Sequence, residues 1–127
     1  MTRKIIYSSD APGPAGPYNQ AFSDGWFVFN AGQIPLDPDT GQIVEGNFQD
    51  RVEQVIRNLD AVLEAGGTEL SSILTMTVFP TDLSRFSTVN EVFSDQFKGI
   101  EPPARSVVEV TGLPMNADIE IKCIASV

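Results

Sequence analysis

Histidine is absent from these 127 residues, and several catalytic strategies are absent with it. Ser-His-Asp and Cys-His nucleophilic catalysis, HExxH zinc sites and imidazole acid–base chemistry all require a residue that this chain lacks. The single cysteine, Cys123, leaves no partner for an intrachain disulfide and no thiolate cluster for a metal. Any catalysis must therefore use carboxylates, arginine, lysine, tyrosine, the thiol or backbone groups.

Positive charge is also scarce, because eight basic residues face seventeen acidic ones and the net charge is −9. Such a chain repels phosphate backbones, whose binding depends on lysines and arginines that release counterions. No stretch approaches the ~20 apolar residues of a membrane span, and the N-terminus lacks the apolar segment of a secretory signal. We therefore expect a cytoplasmic protein that has neither nucleic acid nor membrane as a partner.

The sequence predicts two amphipathic helices. Apolar residues recur at steps of three and four between Phe48 and Ala65, after the predicted N-cap Asn47 and before the stop Gly66-Gly67. A second apolar stripe predicts a helix from Ser84 to Lys98. Asn90 lies within that stripe, where its amide needs a hydrogen-bonding partner.

The remaining segments favour strands at residues 4–7, 26–29, 72–79, 105–110 and 118–125. The last two flank a turn that contains Leu113-Pro114, and this arrangement predicts an antiparallel pair. The order of elements predicts one α+β domain, residues 1–127, with two helices packed on one face of a mixed β-sheet.

Alternation along the last two strands separates two faces. Apolar residues from Ile119 to Ala125 share the face predicted to lie under the helices, whereas Glu120 points the other way. In the preceding strand one face carries Val108 and Val110; the opposite face carries Arg105, Val107 and Glu109. Two helices cover only one face of a sheet, so the second face is expected to be solvated or covered by another subunit.

Arg105 and Glu120 are the main candidates for chemistry. The planar guanidinium of Arg105 can hold both oxygens of a carboxylate, and the alternative is a salt bridge to Glu109 or Glu120. Glu120 could act as a general base or position a water, and its alternative is a solvated glutamate on a strand.

Three further residues could contribute to a site. Tyr18, in a loop stiffened by prolines, could present its hydroxyl to a ligand or cap the core. Gly32 in the sequence NAGQ allows a ligand to approach the backbone closely. Asn90 could support the site or satisfy a backbone carbonyl, and Cys123 is interpreted as a small core residue.

The chain resembles the Rid/YjgF family of reactive-intermediate deaminases in five segments that follow the family's order and spacing. These segments are GPYNQA (16–21), AGQIPLDPDTGQIV (31–44), TVN (88–90), PPARSVVEV with the later LP, and IEIKCIA (119–125). Together they extend over nearly the whole chain. The setting of Arg105 and the strand that carries Glu120 are the most specific of them.

The resemblance implies a chorismate-mutase-like fold, a homotrimer with ligand clefts between subunits, and no cofactor or metal. It implies hydrolysis of 2-enamino and 2-imino acids, such as 2-aminoacrylate, to 2-keto acids and ammonia. Arg105 would bind the substrate carboxylate and Glu120 would activate water. Tyr18, Gly32 and Asn90 would shape the cleft.

Two positions depart from the best-known deaminase branch, which has cysteine at the position of Val107 and serine at that of Ala31. Direct attack by water needs no cysteine nucleophile, so these differences bear on substrate preference and rate. They also leave open a non-catalytic trimer that binds a small carboxylate in the cleft where Val107 lies. An endoribonuclease is the third alternative, and the missing histidine and the net charge of −9 argue against it.

Overall fold

A computed structural model of the chain describes residues 2–127, which form six β-strands and two α-helices with three short 3₁₀ turns. The helices are α1 (Phe48–Ala65) and α2 (Phe86–Gln96). The strands are β1 (Lys4–Ile6), β2 (Ala21–Ser23), β3 (Phe27–Asn30), β4 (Ile73–Pro80), β5 (Ala104–Val107) and β6 (Ile119–Ser126). Over the same residues, neither helix is long and apolar enough to cross a bilayer.

The six strands form one mixed sheet in the order β1-β2-β3-β6-β4-β5. β5 runs parallel to β4, and the other neighbouring pairs are antiparallel. The predicted mixed α+β architecture is thus confirmed, but the predicted pairing of the last two strands is wrong. β4 lies between them, because α2 provides the long crossover that a parallel pair requires.

Helix α1 has the predicted bounds because its end signals are local. The Asn47 side chain accepts a hydrogen bond from the Asp50 amide, and the Asp50 carboxylate accepts one from the Asn47 amide. At the other end, the amide of Gly66 donates to the carbonyls of Val62 and Leu63. The apolar stripe between these ends is buried against the sheet and α2.

Helix α2 is shorter than the sequence predicted. A 3₁₀ turn, Leu83–Arg85, precedes it, and the Asp82 carboxylate caps that turn by accepting a hydrogen bond from the Ser84 amide. The α-helix then begins at Phe86 and ends at Gln96. Ser84, the predicted start, therefore lies in the turn rather than in the helix.

Both helices pack on one face of the sheet, as predicted. The core combines the apolar faces of the helices with alternate strand residues, which include Val28, Met76, Val78, Ile119 and Ile121. On the opposite face, Ile5, Phe22, Phe29 and Ile124 occupy one row of paired strand positions. Ile5 and Phe29 are 60% and 44% exposed, so the open face, defined by this row, presents apolar surface to solvent.

Candidate functional site

Arg105 lies on the helix side of the sheet, at its β5 edge. It pairs in register with Met76 of β4, whose side chain is fully buried in the core, and neighbouring strand partners share a face. Val107 pairs in the same way with buried Val78 and packs against the core. The sequence had grouped Arg105 with Glu120 across a hairpin, and that placement is wrong because β5 pairs with β4.

The guanidinium of Arg105 is held by helix α2. Its Nη2 donates to Oδ1 of Asn90 at 2.6 Å, and its Cζ lies 4.8 Å and 5.6 Å from the ring centres of Phe93 and Phe86. A cation over aromatic faces is stabilised by the ring quadrupoles. Burial lowers the pKa of Arg105, but an arginine remains protonated at any physiological pH.

An open groove of about 580 Å³ begins at Arg105, and we call it the arginine groove. It is lined by Asn90, Phe93, Ser94, Phe97, Pro102, Pro103 and Arg105. Among residues 2–127, the salt bridges involve Arg51, Arg85, Asp82 and Asp118 but not Arg105. The salt-bridge alternative for Arg105 is therefore not supported, and its charge is free to meet a ligand carboxylate.

Glu120 lies on the opposite face of the sheet. It pairs with Phe79 of β4, whereas its neighbours Ile119 and Ile121 are buried under the helices. Gly32 touches it so closely that a β-carbon there would lie 2.7 Å from Oε2 of Glu120. Burial raises the pKa of Glu120, and the nearby charge of Lys122 only partly opposes this shift. The carboxyl group is thus suited to both accepting and returning a proton.

Glu120 lines a narrow cavity of about 70 Å³, which we call the glutamate pocket. Its walls are Pro12, Gly13, Pro14, Ala15, Tyr18, Gln20, Gly32, Gln33, Ile34, Leu36, Pro114, Met115 and Glu120. The hydroxyl of Tyr18 accepts a hydrogen bond from the Ala15 amide at 3.1 Å, which leaves its own proton available to a ligand. The structure therefore brings Tyr18, Gly32 and Glu120 together, apart from Asn90 and Arg105.

Gln20 holds the proline-rich wall of this pocket, and the sequence reasoning missed it. Its buried side-chain amide donates to the carbonyls of Ser8 and Pro12 at 3.0 and 2.8 Å and, more weakly, to that of Ala11 at 3.4 Å. Its Oε1 accepts from the Ser8 amide at 2.7 Å. A glutamine at the end of the proline-rich loop gives no signal of this role, because all its partners are backbone groups.

A second missed element is the pair of arginines around Asp118, two residues before Glu120. Arg51 donates hydrogen bonds to the Asp118 carboxylate from Nε and Nη2, and Arg85 donates one from Nη1 at 2.7 Å. Burial raises the pKa of Asp118, but the hydrogen bonds and charges of both arginines outweigh it, so that the net pKa is lowered. These bonds tie the start of β6 to both helical segments.

Cys123 and Val107 lie outside both cavities. Cys123 is buried in the core, and burial raises its thiol pKa to about 12, which agrees with the predicted core role. Val107 packs against the core and is not among the residues that line the arginine groove or the glutamate pocket. Its predicted contact with substrate stays a prediction.

Comparisons with known proteins agree on one family. The sequence profile of the family described as Endoribonuclease L-PSP matches residues 8–127. A RutC family protein of Pyrococcus abyssi is 45% identical over 125 residues, which cover 98% of each chain. The chloroplastic Reactive Intermediate Deaminase A of Arabidopsis thaliana is 39% identical over 126 residues, covering 99% of this chain and 67% of that protein.

Solved structures support the same assignment. The crystal structure of Escherichia coli TdcF with bound serine superposes with a TM-score of 0.94 at 41% identity, and the match covers 98% of both chains. At this level of identity and coverage, the likeness extends to the whole fold and to the segments that carry Arg105 and Glu120.

Proposed function

This chain belongs to the Rid/YjgF family, and we propose that it hydrolyses reactive 2-enamino and 2-imino acids to 2-keto acids and ammonia. We propose further that it acts as a homotrimer in which each catalytic cleft lies between two subunits. The arginine groove of one subunit would then face the glutamate pocket of its neighbour.

The observation that carries this proposal is the separation of two complementary half-sites within one chain. The guanidinium of Arg105 lies on the helix side of edge strand β5, whereas the carboxyl group of Glu120 lies on the other side of the sheet, on central strand β6. Strand β4 lies between them, so neither half can complete the other within a subunit. A second copy of the chain supplies the missing half most simply.

The apolar open face supports assembly with a second copy. Monomeric proteins rarely expose large contiguous apolar patches, and the row of Ile5, Phe22, Phe29 and Ile124 crosses four strands. Lys122 and Glu120 lie further along β6 on the same face. Burial of this face between subunits would therefore place Glu120 near a subunit boundary.

The residues suggest the following chemistry. Arg105 holds the substrate carboxylate with two charge-assisted hydrogen bonds. Glu120 accepts a proton from water as the water oxygen bonds to the carbon of the protonated imine, and the electron pair of the C=N double bond moves to nitrogen to give a neutral amine. The protonated Glu120 then gives its proton to that amine and, ionised again, accepts the hydroxyl proton as the C–N bond breaks, which leaves the 2-keto acid and ammonia.

Two relatives support this substrate class. The Arabidopsis relative is named as a reactive intermediate deaminase, and E. coli TdcF was solved with serine, a small molecule that carries a carboxylate. The alternative of a non-catalytic carboxylate-binding trimer uses the same Arg105 but needs no role for Glu120. The raised pKa of Glu120 beside Gly32 favours the enzyme.

The test combines turnover with subunit mixing. 2-Aminoacrylate is generated from serine by a serine dehydratase, and the rate of pyruvate release is compared with and without this protein. The single variants Arg105→Ala and Glu120→Gln are expected to be inactive. Co-expression of the two variants with different tags should restore about a quarter of the sites, because some clefts then pair an intact Arg105 with an intact Glu120.

Each result decides between alternatives. Ligand binding by a folded wild type without turnover would favour the carboxylate-binding trimer. Inactive mixed oligomers would contradict a cleft shared between subunits. Cleavage of RNA that survives moderate salt and is lost in Arg105→Ala would instead favour the nuclease that the family description names.

A further inference from the structure

The glutamate pocket has an unusually apolar wall for a site proposed to handle charged substrates. Pro12, Pro14, Ile34, Leu36, Pro114 and Met115 line it, and its ionisable groups are Glu120 and the phenol of Tyr18. Its volume of about 70 Å³ is several times the ~10–15 Å³ that a cavity needs to hold one water molecule. The pocket can therefore accept a short alkyl group beside the reacting carbon.

Met115 is the wall residue with the most unusual backbone. It lies in the 3₁₀ turn Pro114–Asn116 with φ 56° and ψ 25°, and the next residue, Asn116, also has φ 56°. Asparagine tolerates the left-handed region, but methionine rarely adopts it. Strained residues of this kind cluster at ligand-binding sites, where the surrounding structure holds them in place.

We propose that Met115 is the residue that sets the length of the substrate side chain accepted by this enzyme. This proposal rests on the proposed deaminase function. The carboxylate, the nitrogen and the side chain diverge from the planar imine carbon. In the proposed cleft, Arg105 of one subunit holds the substrate carboxylate, and the imine carbon lies at Glu120 of the neighbouring subunit. The substrate side chain is then directed into the apolar wall, where Met115 limits the space.

The turn provides a matched pair of variants. Met115→Gly and Asn116→Gly each relieve one left-handed residue with the same φ, but only Met115 lines the glutamate pocket. Imino acids are generated in situ by an amino acid oxidase from alanine, 2-aminobutyrate and leucine, and kcat/KM is measured for each. One methylene group in an apolar pocket is typically worth ~10–200-fold in kcat/KM.

The wild type is expected to prefer the methyl and ethyl substrates over the isobutyl substrate by at least about tenfold. Met115→Gly should reduce this preference by about tenfold or more, whereas Asn116→Gly should leave it within about twofold. Met115→Gly should melt at or above the wild-type temperature, because it removes an unfavourable left-handed side chain, and Asn116→Gly should melt close to the wild type, because asparagine already tolerates that conformation.

Binding of pyruvate and of 4-methyl-2-oxopentanoate, measured by calorimetry, provides the second readout. A Met115→Gly variant that turns over substrate with an unchanged preference would overturn the role of Met115 and leave the deaminase intact. An equal change of substrate preference in Asn116→Gly would assign the effect to the turn as a whole, and it would also overturn the role of Met115. A wild type without turnover would contradict the proposed function. In that case the calorimetry decides the Met115 proposal: if Met115→Gly has the same ratio of affinities for the two keto acids as the wild type, the proposal is overturned as well.

Discussion

The arginine groove and the glutamate pocket differ in size, in construction and in how they hold their charge. The groove is open, has a volume of about 580 Å³ and fixes a cation between the rings of one helix. The pocket has a volume of about 70 Å³, and it is walled by loops that include the segment held by Gln20. Under the proposed function, the groove would recognise the substrate and the pocket would carry out chemistry on a small group.

The two regions also use burial for different purposes. Around Arg105, partial burial leaves the charge intact because arginine does not lose its proton near neutral pH. Around Glu120, burial raises the pKa of a group that can change its charge. This difference predicts that changes to the groove act on substrate binding, and that changes to the pocket act on the rate of the chemical step.

Among variants that keep both Arg105 and Glu120, the largest effect is expected from Gly32→Ala, which alters the pocket alone. The new β-carbon would lie 2.7 Å from Oε2 of Glu120, and the carboxylate can move away because it ends a flexible side chain. Misplacement by about 1 Å can lower a rate by about a hundredfold. We expect kcat to fall by that order while the melting temperature changes little.

The matched control is Gly13→Ala in the same pocket wall, because a β-carbon at Gly13 meets no atom within 4 Å. Steady-state kinetics and thermal melts of both variants test this prediction. Equal loss of activity in the two variants would show that the wall, rather than the position of Glu120, governs the rate.

A smaller effect is expected in the groove from Asn90→Ala. This change removes the acceptor that holds Nη2 of Arg105 at 2.6 Å. Hydrogen bonds to charged groups contribute about 1.5–3 kcal/mol, so we expect KM to rise at least roughly tenfold with little change in kcat. Ser94→Ala, in the same groove, is the control. A fall in kcat without a change in KM would contradict the division between the two regions.

The smallest effect concerns pH. Because burial raises the pKa of Glu120, the acid limb of the kcat profile should lie above the range of an ordinary glutamate. Lys122 lowers that pKa, so Lys122→Met should move the limb to still higher pH, whereas Lys4→Met, at the far β1 edge, should not. Identical pH profiles of kcat for the wild type and both lysine variants would show that Glu120 is not the base.

The same shift has a consequence for stability whose sign can be derived. A carboxyl group with a raised pKa in the folded state binds its proton more tightly there than in the unfolded chain. Its contribution to stability is therefore full below the unfolded pKa and is lost as pH rises through the folded one. At neutral pH, the buried and ionised Glu120 thus opposes folding.

The sequence predicted α1 in full because its signals are local. The Asn47 cap, the apolar stripe and the glycine stop all lie within about twenty residues of one another. The short strand β2 was not predicted, because only Phe22 among its three residues favours a strand, and β2 forms through its pairing with β1 and β3. Pairing of this kind depends on partners that the local sequence does not specify.

The same reason explains what was missed in the candidate site. Arg105 and Glu120 stood out as residue types, but their faces depended on whether β5 pairs with β6 or with β4. A turn with Leu113-Pro114 favours a hairpin, and the strand–helix–strand order of β4, α2 and β5 permits a parallel crossover without excluding that hairpin. The contact of Asn90 with Arg105 follows from that crossover, so it could not be predicted from either segment alone.

The central position of β6 has a consequence for synthesis of the chain. Strands β1–β3 and β4–β5 lie on opposite sides of β6, so the two parts of the sheet cannot join until Ile119–Ser126 has left the ribosome. Contacts between residues so far apart in sequence form slowly, and strand edges that are still unpaired promote aggregation. The edges of β3 and β4 therefore stay unpaired in the nascent chain until the strand that carries Glu120 is inserted between them.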